Sequence, residues 1–540
     1  MTLARTGRGR RLVRRVGDLR DAALDRLGRP ATRYRPVDHD RAEGFRDRFP
    51  ASARAARAFL RRARHVENGT GPGVAVVVMP WFGSPAPWFA IAAGLGLARR
   101  GRRVTFVLHD LPVDEEPAFL ATELADIDAA LDLVRDRFDV LRASEVDGVA
   151  PPGPTDAAVV GDLAAQILVW RTRAATPPTP SEVARSERTR TLLAEALPRV
   201  RAVLAGLDVD YLVVPGGVLV ASGLYLQAAR ERGVRPTTFD AGLGWSVVCT
   251  DGVAAQQTDV TRAVRMLEAE AGDARDRIVA DARAAFAERR AGTDAMAYQV
   301  TDATGPGTES DGLILVPLSV MFDTAALGRS HLYADAGEWL AETVRLLVAE
   351  TSDPIVVRQH PSERHAGERS RFDPAAVVAT ALGPDHPVEV VLAEDDRNTY
   401  DLLDAARLVI PFVSTIGIEA AALGHAVVLG GDAYYGDLGF AWTSTDRAGY
   451  EDVVRRGARG ELGAALPDSD RAWLCYYLNA VTARTWTDFT SQPADFWRWV
   501  VRDPDELLAE PAVDDLFTAL DTDVPLCLVR HRRRVAEGAI

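Results

Sequence analysis

The feature that most constrains the fold is an uninterrupted series of strand, turn, helix and strand in the last third of the chain. Leu408–Phe412 is a short apolar, β-branched run, too short for a helix and typical of a buried strand. After a Ser/Thr/Gly turn, an alanine-rich helix over Ile418–Leu423 is closed by Gly424, and Ala426–Leu429 reads as a second strand. This order predicts one repeat of a doubly wound α/β sheet.

The turn of this repeat is the first candidate site. It lies at the carboxyl end of a strand, where doubly wound sheets bind ligands. Ser414 and Thr415 are residue types that cap helices, and the free backbone N–H groups at a helix start attract an anion such as phosphate. The alternative is that one of the two hydroxyls simply caps the helix.

The length and composition indicate a globular protein with more than one core. At 540 residues, with 47% hydrophobic and 26% charged residues, the chain predicts two main domains plus appendages. It has no apolar run long enough to span a membrane and no apolar segment typical of a secretory signal. Three widely spaced cysteines favour neither disulfides nor a zinc site, so we expect a cytoplasmic location.

The charge is unevenly distributed. All 63 basic residues are arginine, and residues 1–35 carry a net charge of +8 in a chain whose total is −14. The acidic remainder argues against nucleic acid as the main partner. The basic arm could form an amphipathic helix that lies on an anionic membrane, which would place the protein peripherally at the inner face of the membrane, or it could be a solvated arm.

The first half of the chain predicts one Rossmann-like domain. Val74–Met79, Trp88–Arg100 and Arg103–Leu108 form a strand, a helix and a parallel strand. The loop between them lacks the spaced glycines of a dinucleotide fingerprint, so NAD and FAD are not indicated. Further on, a short strand at Thr237–Phe239 leads into Asp240, an acid that we expect just past the strand end.

The second half predicts a second Rossmann-like domain, with strands at Leu313–Val316, Ile355–Arg358 and Val388–Leu392. Residues 257–291 read as one long polar helix, and Thr301–Asp311 as an interdomain linker. The expected organisation is a basic helical arm, an acceptor domain, a donor domain and a helical tail that packs across both domains, with boundaries at 1–70, 71–308, 309–460 and 461–540.

His360 is the most specific single candidate for a functional residue. It follows an apolar strand and precedes Pro361, which forces a turn there and fixes the imidazole at the carboxyl edge of the sheet. Arg358 adds a positive charge suited to bidentate phosphate contact. A histidine at this position can donate to a phosphate oxygen that gains charge in a transfer reaction.

Metal binding is not indicated. Asp208–Asp210 and Asp521–Asp523 match the DxD pattern that binds a divalent cation with a nucleotide sugar. Several other DxD triplets occur in this Asp-rich chain, and no histidine cluster accompanies any of them. The sequence therefore predicts neither a metal nor a cofactor.

Three segments resemble the capsule polysaccharide biosynthesis family of GT-B glycosyltransferases, whose members include Kdo transferases. Residues 314–318 (ILVPL) are similar to the opening of the family's second domain, with Ser319 where the family usually has Gln. Residues 357–361 (VRQHP) resemble a His-Pro motif shared with bacterial sialyltransferases. Residues 414–436 resemble the block ST-x-G-x-EA…YG, which includes Gly417, with Ala426 replacing the usual Pro. The similarity covers roughly residues 311–445.

The resemblance implies a metal-independent glycosyltransferase that moves a sugar from a nucleotide-activated donor to a surface polysaccharide, glycan or lipid-linked acceptor. His360 and Arg358 would contact the donor phosphate, Ser414 and Thr415 would bind it at the helix start, and Glu419 would bind the ribose or base. In related sialyltransferases the general base lies in an acid–acid–Gly motif.

Asp240 occupies a comparable place in this chain, although Ala241 departs from that motif. It would then take a proton from the acceptor hydroxyl. A structural role for Asp240 as the cap of the following turn is the alternative.

Three other functions stay open at this stage. A nucleotide-sugar 2-epimerase uses the same two-domain fold, but its chemistry needs further carboxylates and histidines in the cleft. A glycerophosphotransferase also carries His-Pro-like elements. A non-catalytic assembly protein could retain a nucleotide pocket without turnover.

Overall fold

The structure is a computed structural model. It describes residues 53–54, 56–81, 84, 86–112, 117–147, 149, 151, 153–174, 178–242, 245–294, 312–365, 368–462, 469–483, 485–486 and 504–540. The basic arm at 1–35 and the predicted linker Thr301–Asp311 lie outside these residues. Two sheets organise the described part of the chain, and both belong to one compact unit.

The first sheet has seven strands in the order β12-β6-β5-β4-β1-β2-β3. The five strands from β5 to β3 are parallel, and β6 and β12 add antiparallel to the β5 edge. Their bounds are Gly73–Val78 (β1), Arg103–Leu108 (β2), Asp139–Arg142 (β3), Tyr211–Pro215 (β4), Arg235–Gly242 (β5), Trp245–Cys249 (β6) and Thr485–Trp486 (β12). The central strands β1 and β4 are buried throughout, as their continuous apolar runs predict.

Five helices connect these strands: Ala86–Arg99 (α1), Pro117–Leu131 (α2), Asp156–Thr172 (α3), Pro180–Ala205 (α4) and Ser222–Glu231 (α5). The start of α4 shows how the sequence sets a boundary. The Thr179 hydroxyl accepts from the Glu182 amide at 3.3 Å, and the Glu182 carboxylate accepts from the Thr179 amide at 2.7 Å. With Pro180 at the first helical position, this capping box stops the helix from extending further back.

The strand that carries Asp240 is longer than expected. The sequence predicted an end at Phe239, but β5 continues to Gly242 and turns back into β6 as an antiparallel hairpin in which Asp240 pairs with Val247. Asp240 therefore lies within a strand rather than just beyond one. The hairpin escaped prediction because Asp240, Ala241 and Gly242, with which β5 ends, lack the alternating apolar pattern that identifies strands.

The second sheet has five strands, all parallel, in the order β11-β10-β7-β8-β9. They are Leu313–Pro317 (β7), Ile355–Arg358 (β8), Val388–Val391 (β9), Ala406–Val409 (β10) and Ala426–Val427 (β11). Five helices pack on this sheet: Ala336–Glu350 (α8), Pro374–Leu382 (α9), Thr399–Ala405 (α10), Ile416–Leu423 (α11) and Arg447–Ala458 (α12). Helices α6 and α7 precede them in the chain and are described next.

The predicted long helix over 257–291 is two helices, Val260–Glu270 (α6) and Arg275–Arg290 (α7), separated by a short 3-10 turn. The break coincides with Gly272, whose φ of +45° is incompatible with a continuing helix. The sequence-based boundary grouped this region with the first sheet. In the structure its buried face, which includes Leu267 and Phe286, packs in the core of the second sheet.

Described residues before 70 and after 461 are also part of the two hydrophobic cores. Phe59 and Leu60, in a helical segment over residues 56–62, are buried in the core of the first sheet rather than in a separate arm. After 461 come the helices Ser469–Tyr476 (α13), Pro504–Ala509 (α14), Pro511–Asp521 (α15) and Leu526–Ala536 (α16), with a π-helical turn at Tyr477–Thr482. α13 packs in the core of the second sheet and α15 in the core of the first.

The two sheets share one strand order. In each sheet the first strand is central, the next two strands follow on one side and the later strands follow on the other, which is the Rossmann arrangement. The predicted α/β class, with two Rossmann-like units that face a cleft and helical segments at both ends, is confirmed. Within the described ranges, no helix is both long enough and apolar enough to cross a membrane.

Candidate functional site

A cavity of about 420 Å³ opens between the two sheets. Asp240, Val247 and Gln256 line it from the side of the first sheet. Seven of the eight site residues predicted from the sequence line it: Asp240, Arg358, His360, Pro361, Ser414, Thr415 and Glu419. The loops after β7, β8 and β10 form the opposite wall, so the cavity lies at the carboxyl edge of the second sheet, where its strand order reverses.

At the corresponding edge of the first sheet, Trp81 packs closely against Gly216. Gly216, directly after β4, has a φ of +67°, and a Cβ there would lie 2.8 Å from the indole ring of Trp81. The Trp81 amide donates to the buried Glu123 carboxylate at 2.9 Å, which holds the loop after β1 in place. Trp81 lies in the loop between β1 and α1, and its ring packs against Gly216 at the end of β4.

His360 is held in one orientation by the turn that follows it. Its Nδ1 accepts a hydrogen bond from the main-chain N–H of Ser362 at 3.3 Å, as the cap of a 3-10 turn over Pro361–Arg364. A nitrogen that accepts carries no proton, so the neutral imidazole bears its proton on Nε2. Nε2 has no hydrogen-bond partner among the described residues.

The charge state of His360 follows from its surroundings. Burial lowers its pKa to about 4, and the positive charges of Arg358 and Arg289 add to this effect. The imidazole is therefore neutral at physiological pH, and as long as Nδ1 accepts from Ser362 its one proton lies on Nε2, in a residue that lines the cavity. A neutral donor suits an oxygen that gains negative charge during a reaction, since no proton has to be removed from the imidazole first.

Arg358 holds a loop in place. Its side chain is 1% exposed, and its guanidinium donates to the carbonyls of Leu392 and Arg397, the latter at 3.1 Å, and to the Thr399 hydroxyl at 3.4 Å. Burial lowers its pKa to about 10, so it remains charged at neutral pH. The bidentate phosphate contact expected from the sequence would compete with these bonds. The structure shows Arg358 as an anchor for the loop over residues 392–399 and as a fixed positive charge beside His360.

Ser414 and Thr415 precede α11. Thr415 occupies the cap position of that helix, but its hydroxyl makes no capping hydrogen bond. The Ser414 carbonyl accepts from the Gly417 amide at 3.1 Å and from the Tyr435 hydroxyl at 2.6 Å. The hydroxyls of Ser414 and Thr415 have no hydrogen-bond partner among the described residues, and both residues line the cavity. The amides of Gly417, Ile418 and Glu419 donate to the carbonyls of Ser414 and Thr415, so the helix start offers an anion the two hydroxyls and the positive end of the helix dipole.

Gly417 differs from the prediction. It does not line the cavity but lies beneath the helix start, where a Cβ would collide with the Tyr435 hydroxyl and approach Pro411 to 3.0 Å. The glycine is therefore needed for close packing rather than for ligand contact. Tyr435 supports the turn that carries Ser414 and Thr415, because its hydroxyl donates to the Ser414 carbonyl. Gly417 belongs to the motif because only a residue without a Cβ lets Tyr435 come this close.

Glu419 is nearly buried one turn into α11, at 8% exposure. Burial raises its pKa to about 7, although the positive charge of Arg289 and a hydrogen bond with the Tyr400 hydroxyl act in the opposite direction. Arg289 in turn lies 2.8 Å from the Asp294 carboxylate. The carboxyl thus already has protein partners, and a ligand would meet it as part of a buried polar cluster.

Sequence reasoning missed several residues of the cavity wall. The Ser319 hydroxyl, after β7, is buried without a hydrogen-bond partner among the described residues and lines the cavity. Glu368 and Asp323 also line it, and burial raises the pKa of Glu368 to about 7. Ser319 could have been found, because it follows the central strand at the switch point. Glu368 and Asp323 lie in irregular loops that carry no pattern.

No group of three or more histidine, cysteine, aspartate or glutamate side chains is arranged to hold a metal ion in the described part of the chain. The cavity instead combines the guanidinium groups of Arg289, Arg329 and Arg358 with carboxyls on both walls. Arg329 donates to the Asp432 carbonyl at 2.6 Å, so it is fixed in place.

Comparisons with known proteins give structural similarity only. No family model and no curated protein matches the sequence. The KpsC beta Kdo 2,4 transferase of Thermosulfurimonas dismutans matches at 16% identity and a TM-score of 0.35, over 55% of this chain and 88% of that one. MurG of Acinetobacter baumannii matches at 12% identity with a TM-score of 0.25, over 82% of this chain and 100% of that one. The UDP-GlcNAc 2-epimerase of Neisseria meningitidis, bound to UDP-GlcNAc, matches at 10% identity with a TM-score of 0.23, over 75% of this chain and 100% of that one.

The strand order of the two sheets and the cavity between them are those of the GT-B fold.

Proposed function

We propose that the protein is a glycosyltransferase that transfers a sugar from a nucleotide-activated donor to a glycan or lipid-linked acceptor. The observation that carries this proposal is that His360, whose Nδ1 is already held by the Ser362 amide, and the helix start at Ser414 and Thr415 line one cavity at the switch point of the second sheet. Hydrogen-bond donors and a helix N-terminus that converge on one space suit a phosphate group.

In the proposed reaction the donor phosphate binds at the start of α11, and the sugar extends across the cleft toward the first sheet. Asp240, on β5, accepts the proton of the acceptor hydroxyl as that oxygen attacks the anomeric carbon. The bond from the anomeric carbon to the phosphate oxygen breaks, and the negative charge on the departing phosphate is stabilised by His360 Nε2–H, by the hydroxyls of Ser414 and Thr415 and by the fixed charge of Arg358. No metal ion takes part in this scheme.

A thermal-shift screen of the full chain with CMP, UDP, GDP, CDP and dTDP tests the donor site. A nucleotide that binds only the folded state raises the melting temperature with its concentration, and we expect one of the five to do so with EDTA present. Thr415→Val should reduce this shift, because it removes a cavity hydroxyl while keeping the shape of the side chain. Thr380→Val, at a threonine outside the cavity, is the matched control and should keep the shift. Absence of a shift with all five nucleotides would contradict the proposal.

A nucleotide-sugar 2-epimerase is the second candidate. The observation that favours it is the presence of Asp323 and Glu368 on the cavity wall beside His360, because this chemistry needs additional acid and base groups in the cleft. The two functions separate in one measurement. An epimerase converts the nucleotide sugar without an acceptor, whereas a transferase consumes it only when an acceptor is added. Binding without either reaction would instead indicate an assembly protein.

A further inference from the structure

A short chain of hydrogen bonds extends from His360 away from the cavity. Ser362 is fully buried, and its Oγ lies 2.8 Å from Nδ1 of His360. The same side chain hydrogen bonds with Glu368. One serine hydroxyl therefore stands between the imidazole and a carboxyl group.

The single proton of this hydroxyl permits two arrangements. When Glu368 is protonated, it donates to Ser362 Oγ, and the hydroxyl donates in turn to Nδ1 of His360, so the imidazole proton stays on Nε2. When Glu368 is ionised, the hydroxyl donates to the carboxylate and its lone pairs face Nδ1. A proton on Nδ1 is then favoured, and Nε2 faces the cavity as an acceptor. The proton moves between the nitrogens by exchange with solvent.

We propose that Glu368 is a positioning residue that acts through Ser362 and decides whether His360 presents a donor or an acceptor to the cavity. With Glu368 protonated, both the hydroxyl and the main-chain N–H of Ser362 point at Nδ1, and the donor form is fixed. With Glu368 ionised, only the main-chain N–H supports that form. We call the hydrogen-bonded chain Glu368–Ser362–His360 the relay. Its effect on catalysis rests on the proposed function, but the position of the imidazole proton does not depend on that function.

The surroundings of both groups place the change near neutral pH. Burial raises the pKa of Glu368 to about 7; the negative charges of Asp323 and Glu363 act in the same direction, and the hydrogen bond from Ser362 and the charge of Arg173 oppose them. His360 faces the positive charges of Arg358 and Arg289, and burial keeps it neutral down to a pKa of about 4. A change in His360 near pH 7 therefore reports Glu368 and not the imidazole's own protonation.

Nuclear magnetic resonance of the full chain with ¹⁵N-labelled histidine tests this directly, with no substrate present. The shifts of Nδ1 and Nε2 identify which nitrogen carries the proton, and the signals of His360 are assigned by their loss in His360→Gln. From about pH 5.5 to 8.5, we expect wild-type His360 to start as the Nε2–H form and to change with a midpoint near the carboxyl pKa.

Two variants break the relay in different ways. Glu368→Gln retains a side-chain donor toward Ser362 at every pH, and Ser362→Ala removes the hydroxyl but keeps the main-chain N–H. Both should hold His360 in the Nε2–H form and abolish the pH-dependent change. Glu363→Gln is the matched control, because that buried carboxyl bonds to Gln359 and Ser370 instead, and the change should persist.

Either of two results would overturn the proposal. One is a wild-type His360 signal that does not change across this range. The other is a change of the same size in Glu368→Gln and in wild type. Because the measurement needs no substrate, it can succeed or fail independently of the nucleotide screen that tests the proposed function.

Discussion

Burial decides the chemistry of the individual cavity residues. His360, Glu368 and Glu419 are ordinary titratable side chains in the sequence, but burial makes the neutral form of each more favourable. The imidazole is consequently neutral, and burial raises the pKa of each of the two carboxyls to about 7. Perturbed groups of this kind gather at functional sites, because catalysis needs protonation states that water alone does not supply.

Replacing His360 should affect turnover more than binding. In His360→Ala the side chain loses the Nε2–H donor toward the departing phosphate, an interaction that strengthens as charge develops. We expect kcat to fall by about 100-fold or more, with nucleotide affinity changed only slightly. The measurement is steady-state transfer with the donor that the thermal-shift screen identifies. Near-normal kcat would show that His360 does not stabilise the leaving group.

Glu419 should make stability fall as pH rises. Its folded-state pKa of about 7 exceeds the ordinary value of 4.5, so between these two values the folded protein holds a proton that the unfolded chain releases. The free energy of unfolding then declines across this interval by on the order of 3 kcal/mol. Glu419→Gln removes the ionisable group, so urea unfolding of the variant should show a smaller decline than wild type.

The pH dependence of unfolding needs a control at a carboxyl that is not buried. Glu288→Gln changes an exposed carboxyl on α7 and should follow the wild-type curve. If the Glu419→Gln curve also parallels wild type from about pH 5 to 7.5, the carboxyl is already ionised in the folded protein throughout this range.

At the scale of elements, the start of α11 depends on close packing beneath it. Gly417→Ala would push the new Cβ into the Tyr435 hydroxyl, and we expect a loss of about 1–3 kcal/mol in the free energy of unfolding. The same shift of the turn should weaken nucleotide binding. Chemical denaturation and the nucleotide-induced thermal shift measure the two effects.

A second substitution distinguishes this cause from a general loss of helix stability. Tyr435→Phe removes the hydroxyl that the new methyl would meet, at the expense of its hydrogen bond to the Ser414 carbonyl. The double variant should therefore lose less stability than the sum of the two single variants. Simple additivity would indicate that the collision is not what disturbs the turn.

The sequence predicted those elements that local pattern determines. The apolar runs of β1, β7 and β8 marked buried strands, and the placement of His360, Ser414 and Thr415 after strand ends followed from parallel topology. The role of Arg358 was missed because its partners are carbonyls in a distant loop. Glu368 was missed because it lies in an irregular loop, and its contact with Ser362 exists only once that loop has folded back.

At the scale of the whole molecule, the C-terminal helices join the two cores. In α16, Leu526 packs in the core of the first sheet, and Leu528 packs in the core of the second. On α15, Phe517 fits against Gly96 of α1, where a Cβ would meet its ring. The Tyr477 hydroxyl lies 3.1 Å from His531 Nδ1, which ties the π-helical turn to α16. These contacts couple the two sheets that form the cavity.

Weakening this connection should make the two cores unfold separately. Leu526→Ala and Leu528→Ala each remove a buried side chain and should cost about 2–5 kcal/mol, and the double variant takes one buried leucine of α16 out of each core. We expect wild type to unfold in urea in one transition, and the double variant to show transitions by tryptophan fluorescence and circular dichroism that no longer coincide. Val535→Ala, at an exposed position of the same helix, is the control and should unfold like wild type. Coincident transitions in the double variant would mean that contacts across the cleft itself, rather than the C-terminal helix, hold the two sheets together.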